Sequence, residues 1–321
     1  MINTELRTAL AESKRTLIVT HLRPDGDAFG SVVGLLELLT CAYPTMECQA
    51  LIEGTLWEKL KKTITDRNFH FDPAEISGEF DLMVALDCGN FERLVLPGQA
   101  TWKRSVNIDH HPTNTGYGDL NIFYPDYSST AEMIYWLFKD LITARTAYYL
   151  LIGICSDTGF FRNDNVGART LRAVSEILEL GADLTAVNRL VECSKTAAHL
   201  QLLSLGLSRL KNAGNGIYYL DFPFEEWKKI TPHITDIWAS GVFYQVKNLE
   251  DCEYGIYFME ASPGEVLVEF RTKNADCSLT ATKFGGGGHT KASGCSMKTS
   301  LVEAVELIVA HVRKSLAESP A

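Results

Sequence analysis

Residues 16–31 have the sequence TLIVTHLRPDGDAFGS, and this stretch decides the fold that we predict. Its first part, 16–21, is a short apolar run rich in β-branched residues, which is typical of a buried strand. The run ends abruptly in polar residues and glycine, and from 28 to 42 the pattern becomes helical. A strand that passes through a polar loop into a helix is the repeating unit of an α/β sheet.

Three later segments have the same form, an apolar run that ends at an aspartate. They are 81–87 (DLMVALD), 105–109 (SVNID) and 150–157 (LLIGICSD), all of which we predict as strands. Near-continuous apolar strands separated by helices predict a parallel sheet with helices on both faces. Ligands of such sheets bind beyond the carboxyl ends of the strands, so we expect the chemistry just after His21, Asp87, Asp109 and Asp157.

The second half of the chain has a different pattern. We predict helices over 167–180, with Gly181 as the stop signal, and over 184–210, followed by the loop KNAGNG. Strands are predicted near 217–222, 252–259 and 265–271, and an amphipathic helix over 302–315. The chain is thus predicted to be α/β, with a parallel-sheet domain over 1–183, a helical connector over 184–216 and a smaller α+β domain over 217–321.

Composition and charge exclude several classes of protein. Of the 321 residues 46% are hydrophobic and 22% are charged, which is typical of a folded globular chain. No run approaches the ~18 apolar residues that a membrane span needs, and 1–13 has no apolar run of the kind found in signal peptides. The net charge of −10 argues against long DNA or RNA as a partner, since those ligands need a basic surface. Eight cysteines without a C-x-x-C pair indicate reduced thiols in a cytoplasmic protein.

The loop after the first predicted strand carries His21, Asp25 and Asp27 where a dinucleotide-binding fold has a G-x-G-x-x-G loop. Two carboxylates at this position repel a pyrophosphate, so a Rossmann dehydrogenase is not expected. Gly26 is expected to let the loop turn tightly between them. An isolated D-G-D is typical of a helix cap, as is Ser128-Ser129-Thr130 before a later helix.

The ends of the other predicted strands favour a metal site over simple capping. Six side chains of ligand type follow these strands: His21, Asp25, Asp27, Asp87, His110 and Asp157. Six ligands exceed what one ion with open positions needs, whereas two divalent ions ~3.5–4 Å apart fit a hydrolytic centre for phosphate esters. Carboxylates and imidazoles without thiolates favour Mn²⁺, with Mg²⁺ and Co²⁺ as alternatives.

These residues resemble the DHH phosphoesterase family, named for the triplet that stands here as Asp109-His110-His111. Four motifs occur in family order, HLRPDGDAFGS, ALDCG, NIDHH and CSDTG, and FGGGGHTKASG at 284–294 resembles the glycine-rich signature of the DHH-associated domain. Type II inorganic pyrophosphatases lack this signature, and RecJ-type exonucleases are longer. The resemblance is therefore to the compact two-domain branch of oligoribonucleases (nanoRNases) and cyclic-di-AMP phosphodiesterases.

The resemblance implies a role for each of these residues. His21 and Asp25 would bind one ion, and Asp27, His110 and Asp157 the other, with Asp87 bridging the two. Asp109 would orient a neighbouring histidine, and His111 would face the scissile phosphate. Both are expected to be catalytic.

The glycine run at 285–288 has two interpretations. A bare run of glycine is typical of a flexible linker, but basic residues flank this one. The resemblance implies that the loop and an upstream arginine bind the part of the nucleotide remote from the metals, through Arg271, Gly286, Gly287, Gly288 and His289. Glu269 departs from the family pattern, in which a small residue is expected.

We therefore expect a Mn²⁺-dependent phosphoesterase with a cleft between its domains for short RNA or a small nucleotide. It would release 5′-mononucleotides from oligoribonucleotides and convert pAp to AMP and phosphate. Cyclic di-AMP or pApA is the alternative substrate. A metal-dependent nucleotide sensor without turnover is a further alternative, although it predicts a lost ligand and all six are present. The resemblance also implies a homodimer.

Overall fold

A computed structural model describes residues 4–53, 60, 62–64, 68–192 and 195–318, with His289 and Glu318 described only in their backbone. The chain forms two compact units, Met1–Ser194 and Lys195–Ala321. None of the described helices has the length and apolar character that crossing a membrane requires.

Unit 1 contains a six-stranded sheet in which every recorded strand pairing is parallel. The strands are β1 (Arg15–Val19), β2 (Glu47–Leu51), β3 (Phe69–His70), β4 (Ser77–Leu86), β5 (Gln99–Asp109) and β6 (Leu120–Phe123). Their order is β3-β2-β1-β4-β5-β6, as in doubly wound sheets. The direction of winding reverses between β1 and β4, so the carboxyl ends of these two strands mark the expected ligand position. The predicted parallel sheet is confirmed.

The helices of unit 1 contribute to a core on one face of this sheet. They are α1 (Thr4–Glu12), α2 (Gly26–Ala42), α3 (Thr130–Leu137), α4 (Ala144–Asp157), α5 (Ala168–Glu179) and α6 (Leu184–Val191), with 3₁₀ turns at Pro73–Glu75, Phe91–Arg93 and Lys139–Leu141. On the opposite face the described residues show a smaller core, in which Leu94 and Val95 cover Leu17, Val19 and Met83. On this second face, the segment that joins β4 to β5 is short and contains a 3₁₀ turn.

The predicted strand at 150–157 is wrong, because these residues form the second half of α4. Helix α4 begins at the N-cap Thr143, whose side chain accepts a hydrogen bond from the Thr146 backbone N–H. An apolar run of this length fits a buried strand and a fully buried helix equally well. Here the run is apolar on nearly every side because α2, α3, α5 and α6 all pack against α4.

Glycines allow α2 and α4 to approach each other closely. A Cβ atom at Gly30 would lie 2.5 Å from the Tyr149 carbonyl oxygen. A Cβ atom at Gly153 would lie 2.6 Å from Ala131 Cβ and 2.8 Å from Asp27 Oδ1. The absence of a side chain at Gly153 therefore leaves room for the Asp27 carboxyl group between the helices.

Unit 2 contains a mixed sheet of order β11-β12-β10-β9-β8-β7. Its strands are β7 (Lys211–Asn212), β8 (Ile217–Phe222), β9 (Tyr254–Ser262), β10 (Glu265–Thr272), β11 (Gly287–His289) and β12 (Ala292–Met297). The pairing of β8 with β9 is parallel and the others are antiparallel. The helices are α7 (Ala197–Ser208), α8 (Phe224–Trp227), α9 (Thr235–Ala239), α10 (Val242–Lys247), α11 (Cys277–Lys283) and α12 (Leu301–Glu318). Residues of α11 and α12 pack in one core of this unit, and residues of α7 to α10 in another. The predicted smaller α+β domain is thus confirmed as a fold.

The boundary between the units falls inside the segment predicted as a connector. Val187 of α6 is buried in the core of unit 1, and Leu202 of α7 is buried with Leu220 and Phe222 in unit 2. Each of the two helices therefore packs within its own unit, and the division lies between Ser194 and Lys195.

We expect Gly153→Ala to destabilise the protein, because the added methyl group meets Ala131 and the Asp27 carboxyl group. Overpacking of this kind typically costs about 1–3 kcal/mol, and about 2–4 °C in melting temperature is lost per kcal/mol in a domain of this size. Thermal denaturation followed by circular dichroism measures the change. Gly98→Ala is the matched control, because nothing lies within 4 Å of a Cβ atom there. Equal melting temperatures for both variants would contradict the close-packing argument.

Candidate metal centre

The structure brings all six predicted metal ligands together beyond the carboxyl ends of β1, β4 and β5. They form two groups, in each of which one ligand atom per residue lies within 4.8 Å of the others. One group is His21, Asp25 and Asp87, and the other is Asp27, His110 and Asp157. Asp87 connects them, because its Oδ1 lies 3.5 Å from His110 Nε2 and its Oδ2 lies 3.8 Å from His21 Nε2.

The loop from β1 to α2 supplies three of these side chains. Asp25 is the N-cap of α2, and its Oδ1 accepts hydrogen bonds of 3.0 Å from the backbone N–H groups of Asp27 and Ala28. The capping interpretation of this loop is therefore confirmed, and it coexists with membership of the ligand group. The structure does not show the tight turn that was predicted for Gly26. Its φ angle is not in the left-handed region, but a Cβ atom there would lie 2.3 Å from Ser156 Oγ of α4. A close approach of α4, rather than a tight turn, explains the glycine.

The Asp27 carboxyl group is fully buried at the N-terminus of α3. Its Oδ2 accepts a 2.7 Å hydrogen bond from the Thr130 backbone N–H, and its Oδ1 accepts one of 3.0 Å from Ala131. Ser31 Oγ donates a third bond of 3.2 Å. The first N–H groups of a helix have no partner within the helix and carry partial positive charge, so they fix and stabilise this carboxylate.

Asp87 is held in an unusual backbone conformation directly after β4. Its φ angle is +56°, in the left-handed region that residues other than glycine rarely adopt. Its backbone N–H donates to the Ile108 carbonyl at 3.0 Å, and Thr130 Oγ1 donates to its Oδ1 at 3.0 Å. The surrounding bonds thus maintain a strained residue at the centre of the site, where such strain is commonly functional.

His110 and Asp157 complete the second group. The Nδ1 atom of His110 lies 3.3 Å from the Tyr127 carbonyl oxygen, and its Nε2 lies 3.4 Å from Asp157 Oδ2. A proton on Nδ1, donated to this carbonyl, leaves Nε2 as the ligand atom. Asp157 is the last residue of α4, so a helix end and not the predicted strand end brings it to the site.

The remaining members of the triplet pair with each other. The Asp109 carboxylate is buried and accepts a 2.7 Å hydrogen bond from His111 Nδ1. Asn114 Nδ2 donates to its other oxygen at 2.5 Å and also to Asn107 Oδ1 at 2.7 Å. The neighbouring histidine that Asp109 contacts is thus His111.

The carboxyl groups of this centre repel one another in the absence of a cation. Burial, and then the charge of Asp87, raises the pKa of Asp27, while burial and Asp27 raise that of Asp157. Burial and Asp25 raise the pKa of Asp87 to about 7.

Burial disfavours the charged form of His111, but the hydrogen bond to Asp109 and the charge of Asp87 outweigh this effect and raise the pKa of His111 to about 9. Burial also opposes ionisation of Asp109, yet the bonds from His111 and Asn114 keep its pKa below the usual value.

This donor set fits divalent cations. Carboxylate oxygens and imidazole nitrogens are ligands of Mn²⁺ and Mg²⁺, and two positive charges offset the repulsion that raises the carboxyl pKa values. A third group among the described residues consists of Asp87, His110 and His111, and no cysteine belongs to any of the three. The nearby thiol of Cys88 donates instead to the Asn90 carbonyl.

The predicted nucleotide-binding residues lie in unit 2. Arg271, on β10, pairs with Glu269 at 2.9 Å and also donates to the Phe270 carbonyl.

The run from Gly286 to Gly288 enters strand β11, which pairs with β12, so the run is part of a sheet and not a flexible linker. A Cβ atom at Gly286 would lie 2.1 Å from the Gly294 carbonyl oxygen. Gly288 has a φ angle of +139°, whereas nothing lies within 4 Å of a Cβ atom at Gly287. The side chain of His289 lies outside the described part of the chain.

Sequence reasoning missed several groups that support the ligands. The prediction of an N-cap at 128–130 is confirmed, because Ser129 Oγ accepts from the Glu132 backbone N–H at 3.0 Å. That prediction did not include the bonds from Thr130 and Ala131 to the ligands. The Tyr127 carbonyl and Asn114 carry no local signal at all, because their roles depend on contacts formed only by folding.

We expect the ion-free protein to lose stability as the pH rises from about 4 to about 7. The Asp87 carboxyl group has a pKa of about 7 when folded and 3.8 ordinarily, so the folded state retains a proton that the unfolded state releases in this range. Melting temperatures measured in EDTA across this range should fall for the wild type and fall less for Asp87→Asn. Mn²⁺ at pH 8 should raise the wild-type melting temperature more than that of the variant. Asp81→Asn is the control, since Lys103 lowers the pKa of this half-buried carboxyl group to about 2 and it does not titrate in this range. A wild-type profile that does not fall would contradict the repulsion described above.

Part of this chain matches a known protein family. The DHH family, N-terminal domain, matches residues 15–154. The chain is 27% identical over 307 residues to the "Bifunctional oligoribonuclease and PAP phosphatase NrnA" of Bacillus subtilis, with 92% of this chain and 93% of the relative covered. It is 28% identical to the protein of the same name from Thermus thermophilus, with 93% and 89% covered.

A solved structure shows the same fold. An exopolyphosphatase-related protein from Bacteroides fragilis superposes with a TM-score of 0.86 at 22% identity, covering 98% of this chain and 97% of the other. Residues 15–154 are therefore a DHH family N-terminal domain.

Proposed function

We propose that this protein is a divalent-metal phosphoesterase that hydrolyses short oligoribonucleotides to 5′-mononucleotides and pAp to AMP and phosphate. The observation that carries the proposal is the pair of ligand groups linked by Asp87, with His111 beside them. Relatives named for these two activities align over nearly the full length of both chains.

In this proposal His21 and Asp25 hold one ion, and Asp27, His110 and Asp157 hold the other. Asp87 contributes to both, and Mn²⁺ is the ion that we propose. When bound, such ions supply Lewis-acid polarisation of the phosphoryl oxygens. The protein's contribution is to hold the ligands in place: the N-terminus of α3 fixes Asp27, the Thr130 hydroxyl fixes Asp87, and the Tyr127 carbonyl orients His110.

His111 is proposed to stabilise the phosphate in the transition state. Burial opposes protonation of His111, but the hydrogen bond to Asp109 raises its pKa and favours the protonated ring, which is a charged hydrogen-bond donor. Because Asp109 accepts from Nδ1, Nε2 is the nitrogen that we assign to the phosphate. Positive charge held in place before the reaction stabilises the charge that develops on the transferred oxygens.

Arg271 is proposed to bind the part of the nucleotide remote from the metals, together with Gly286, Gly287, Gly288 and His289. The guanidinium is paired with Glu269, the residue that departs from the family pattern. Trp238 Nε1 also donates to Glu269, at 3.4 Å. The carboxylate therefore competes with a ligand for the same hydrogen-bond donors of Arg271.

We place the enzyme in the cytoplasm and propose that it forms a homodimer. The seven cysteines described are all free, as is usual in a reducing compartment.

The first prediction concerns the reaction itself. Purified protein is incubated with Mn²⁺ and, separately, with short RNA, pAp, pApA and cyclic di-AMP, and the products are separated by chromatography. We expect 5′-mononucleotides from RNA and AMP from pAp, with cyclic di-AMP intact. Asp87→Asn should lower the rate by at least about 10²-fold because both ligand groups lose a carboxylate. Asp81→Asn, a surface change on the same strand, should not.

Other outcomes of this experiment have defined meanings. Preferential opening of cyclic di-AMP would contradict the proposed substrate and assign the protein to the alternative. Tight nucleotide binding without hydrolysis under any divalent metal would contradict an enzymatic function and support a sensor.

A second prediction concerns Arg271. We expect Arg271→Ala to raise KM for pAp by about 10–100-fold, with kcat changed much less, because the variant is unable to form the charged hydrogen bond to the bound substrate. Glu269→Ser should lower KM, since it removes the competing carboxylate. Arg313→Ala is the control, because this exposed arginine of the same unit donates only to the Ala213 carbonyl among its recorded bonds. A KM unaffected by Arg271→Ala would rule out this residue as a substrate ligand.

A further inference from the structure

The short segment from Asp126 to Ala131 hydrogen-bonds three of the six candidate ligands. The Thr130 and Ala131 backbone N–H groups donate to Asp27, and the Thr130 hydroxyl donates to Asp87. The Tyr127 carbonyl lies 3.3 Å from His110 Nδ1. Whatever fixes this segment therefore fixes the Asp27 and Asp87 carboxyl groups and the His110 ring.

We propose that Glu132 is the positioning residue of the metal centre: its buried carboxylate fixes this segment and thereby sets the affinity for divalent ions. The proposal rests on the function proposed above only in requiring that the site binds such ions.

The Glu132 carboxylate is fully buried and accepts hydrogen bonds on both oxygens. Oε2 accepts from the Ser128 backbone N–H at 3.0 Å, from Ser128 Oγ at 2.7 Å and from Thr170 Oγ1 at 2.9 Å. Oε1 accepts from Arg169 Nε at 2.9 Å and from Trp136 Nε1 at 3.3 Å. The carboxylate thus ties the segment to α5, which carries Arg169 and Thr170, and all five bonds go to residues outside the ligand groups.

The residues around Glu132 also restrain the segment. Arg169, which pairs with Glu132, donates to the Asp126 carbonyl, and its guanidinium lies over the Tyr127 ring at 3.5 Å from the centroid. Asn165 Nδ2 donates to the Ser128 carbonyl at 2.9 Å and to the Asp157 carbonyl at 3.2 Å. Arg169 therefore restrains the start of the segment, and Asn165 connects the segment to the end of α4.

Only a carboxylate satisfies this set of donors. The Ser128 backbone N–H faces one oxygen, and the Arg169 and Trp136 N–H groups face the other, and none of the three is able to accept. A glutamine places its NH₂ group against donors in either orientation, whereas its size and shape are those of glutamate. Glu132→Gln is therefore a minimal change that weakens the anchor and leaves the candidate ligands themselves intact.

The test is a titration of the EDTA-treated protein with Mn²⁺ alone, followed by electron paramagnetic resonance of the free ion. We expect Glu132→Gln to weaken Mn²⁺ binding by about 10–100-fold, the usual effect of losing a group that orients metal ligands. Glu176→Gln is the matched control. Glu176 is also a carboxylate between α3 and α5, where it pairs with Tyr135 and Lys139, but its recorded bonds do not lead to the ligands. The Glu176→Gln variant should bind Mn²⁺ with the affinity of the wild type.

A second variant keeps the proposal testable should Glu132→Gln fail to fold. Arg169 is more than a third exposed, so Arg169→Ala removes the partner of Glu132 without emptying the core. We expect it to weaken Mn²⁺ binding in the same direction. Wild-type Mn²⁺ affinity in a folded Arg169→Ala or Glu132→Gln protein would overturn the proposal.

Turnover provides a readout that a general loss of stability does not produce. At limiting Mn²⁺ the rate of Glu132→Gln on pAp should be about 10-fold or more below that of Glu176→Gln, and excess Mn²⁺ should restore most of it. A rate deficit that excess Mn²⁺ does not change would contradict positioning of the ligands. Absence of wild-type turnover would overturn the proposed function alone, because the Mn²⁺ titration does not depend on turnover.

Discussion

The constraint on which unit 1 depends is the burial of several carboxyl groups beside one another at the carboxyl ends of β1, β4 and β5. Burial and mutual repulsion raise the pKa values of Asp27, Asp87 and Asp157, so each of these groups destabilises the fold when it ionises without a cation. The sheet order places the reversal of winding between β1 and β4, where such groups converge from two directions. The surrounding structure partly offsets the repulsion with fixed dipoles: the first N–H groups of α3 point at Asp27, and the Thr130 hydroxyl points at Asp87.

Helix packing makes this arrangement possible. The Asp27 carboxyl group lies between α2, α3 and α4, and there is room for it because Gly153 has no side chain. Gly26 has the same effect one residue before Asp27, where Ser156 approaches. Small residues at helix crossings are usually explained by the core alone. Here they also determine how near the end of α4, with Asp157, comes to the loop after β1.

In unit 2, by contrast with the clustered carboxyl groups of unit 1, opposite charges are paired. Arg271 is paired with Glu269 on the same strand, and the glycine run enters the sheet at Gly287 and Gly288. If Arg271 binds a nucleotide as we propose, that nucleotide displaces or shares this ion pair.

The sequence by itself determined the α/β character, the parallel strands and all six candidate ligands, because apolar runs that end at Asp or His are local signals. It also determined the cap at Ser129. Only the tertiary structure decided that 150–157 is a helix, since an apolar run buried on every side has no periodicity to distinguish it from a strand. Likewise, the sequence contains no signal for the Tyr127 carbonyl or the left-handed Asp87, because their partners are distant in sequence. Local patterns identify which side chains are able to bind a cation. How those side chains are held is decided by long-range hydrogen bonds and close packing, which exist only once the chain has folded.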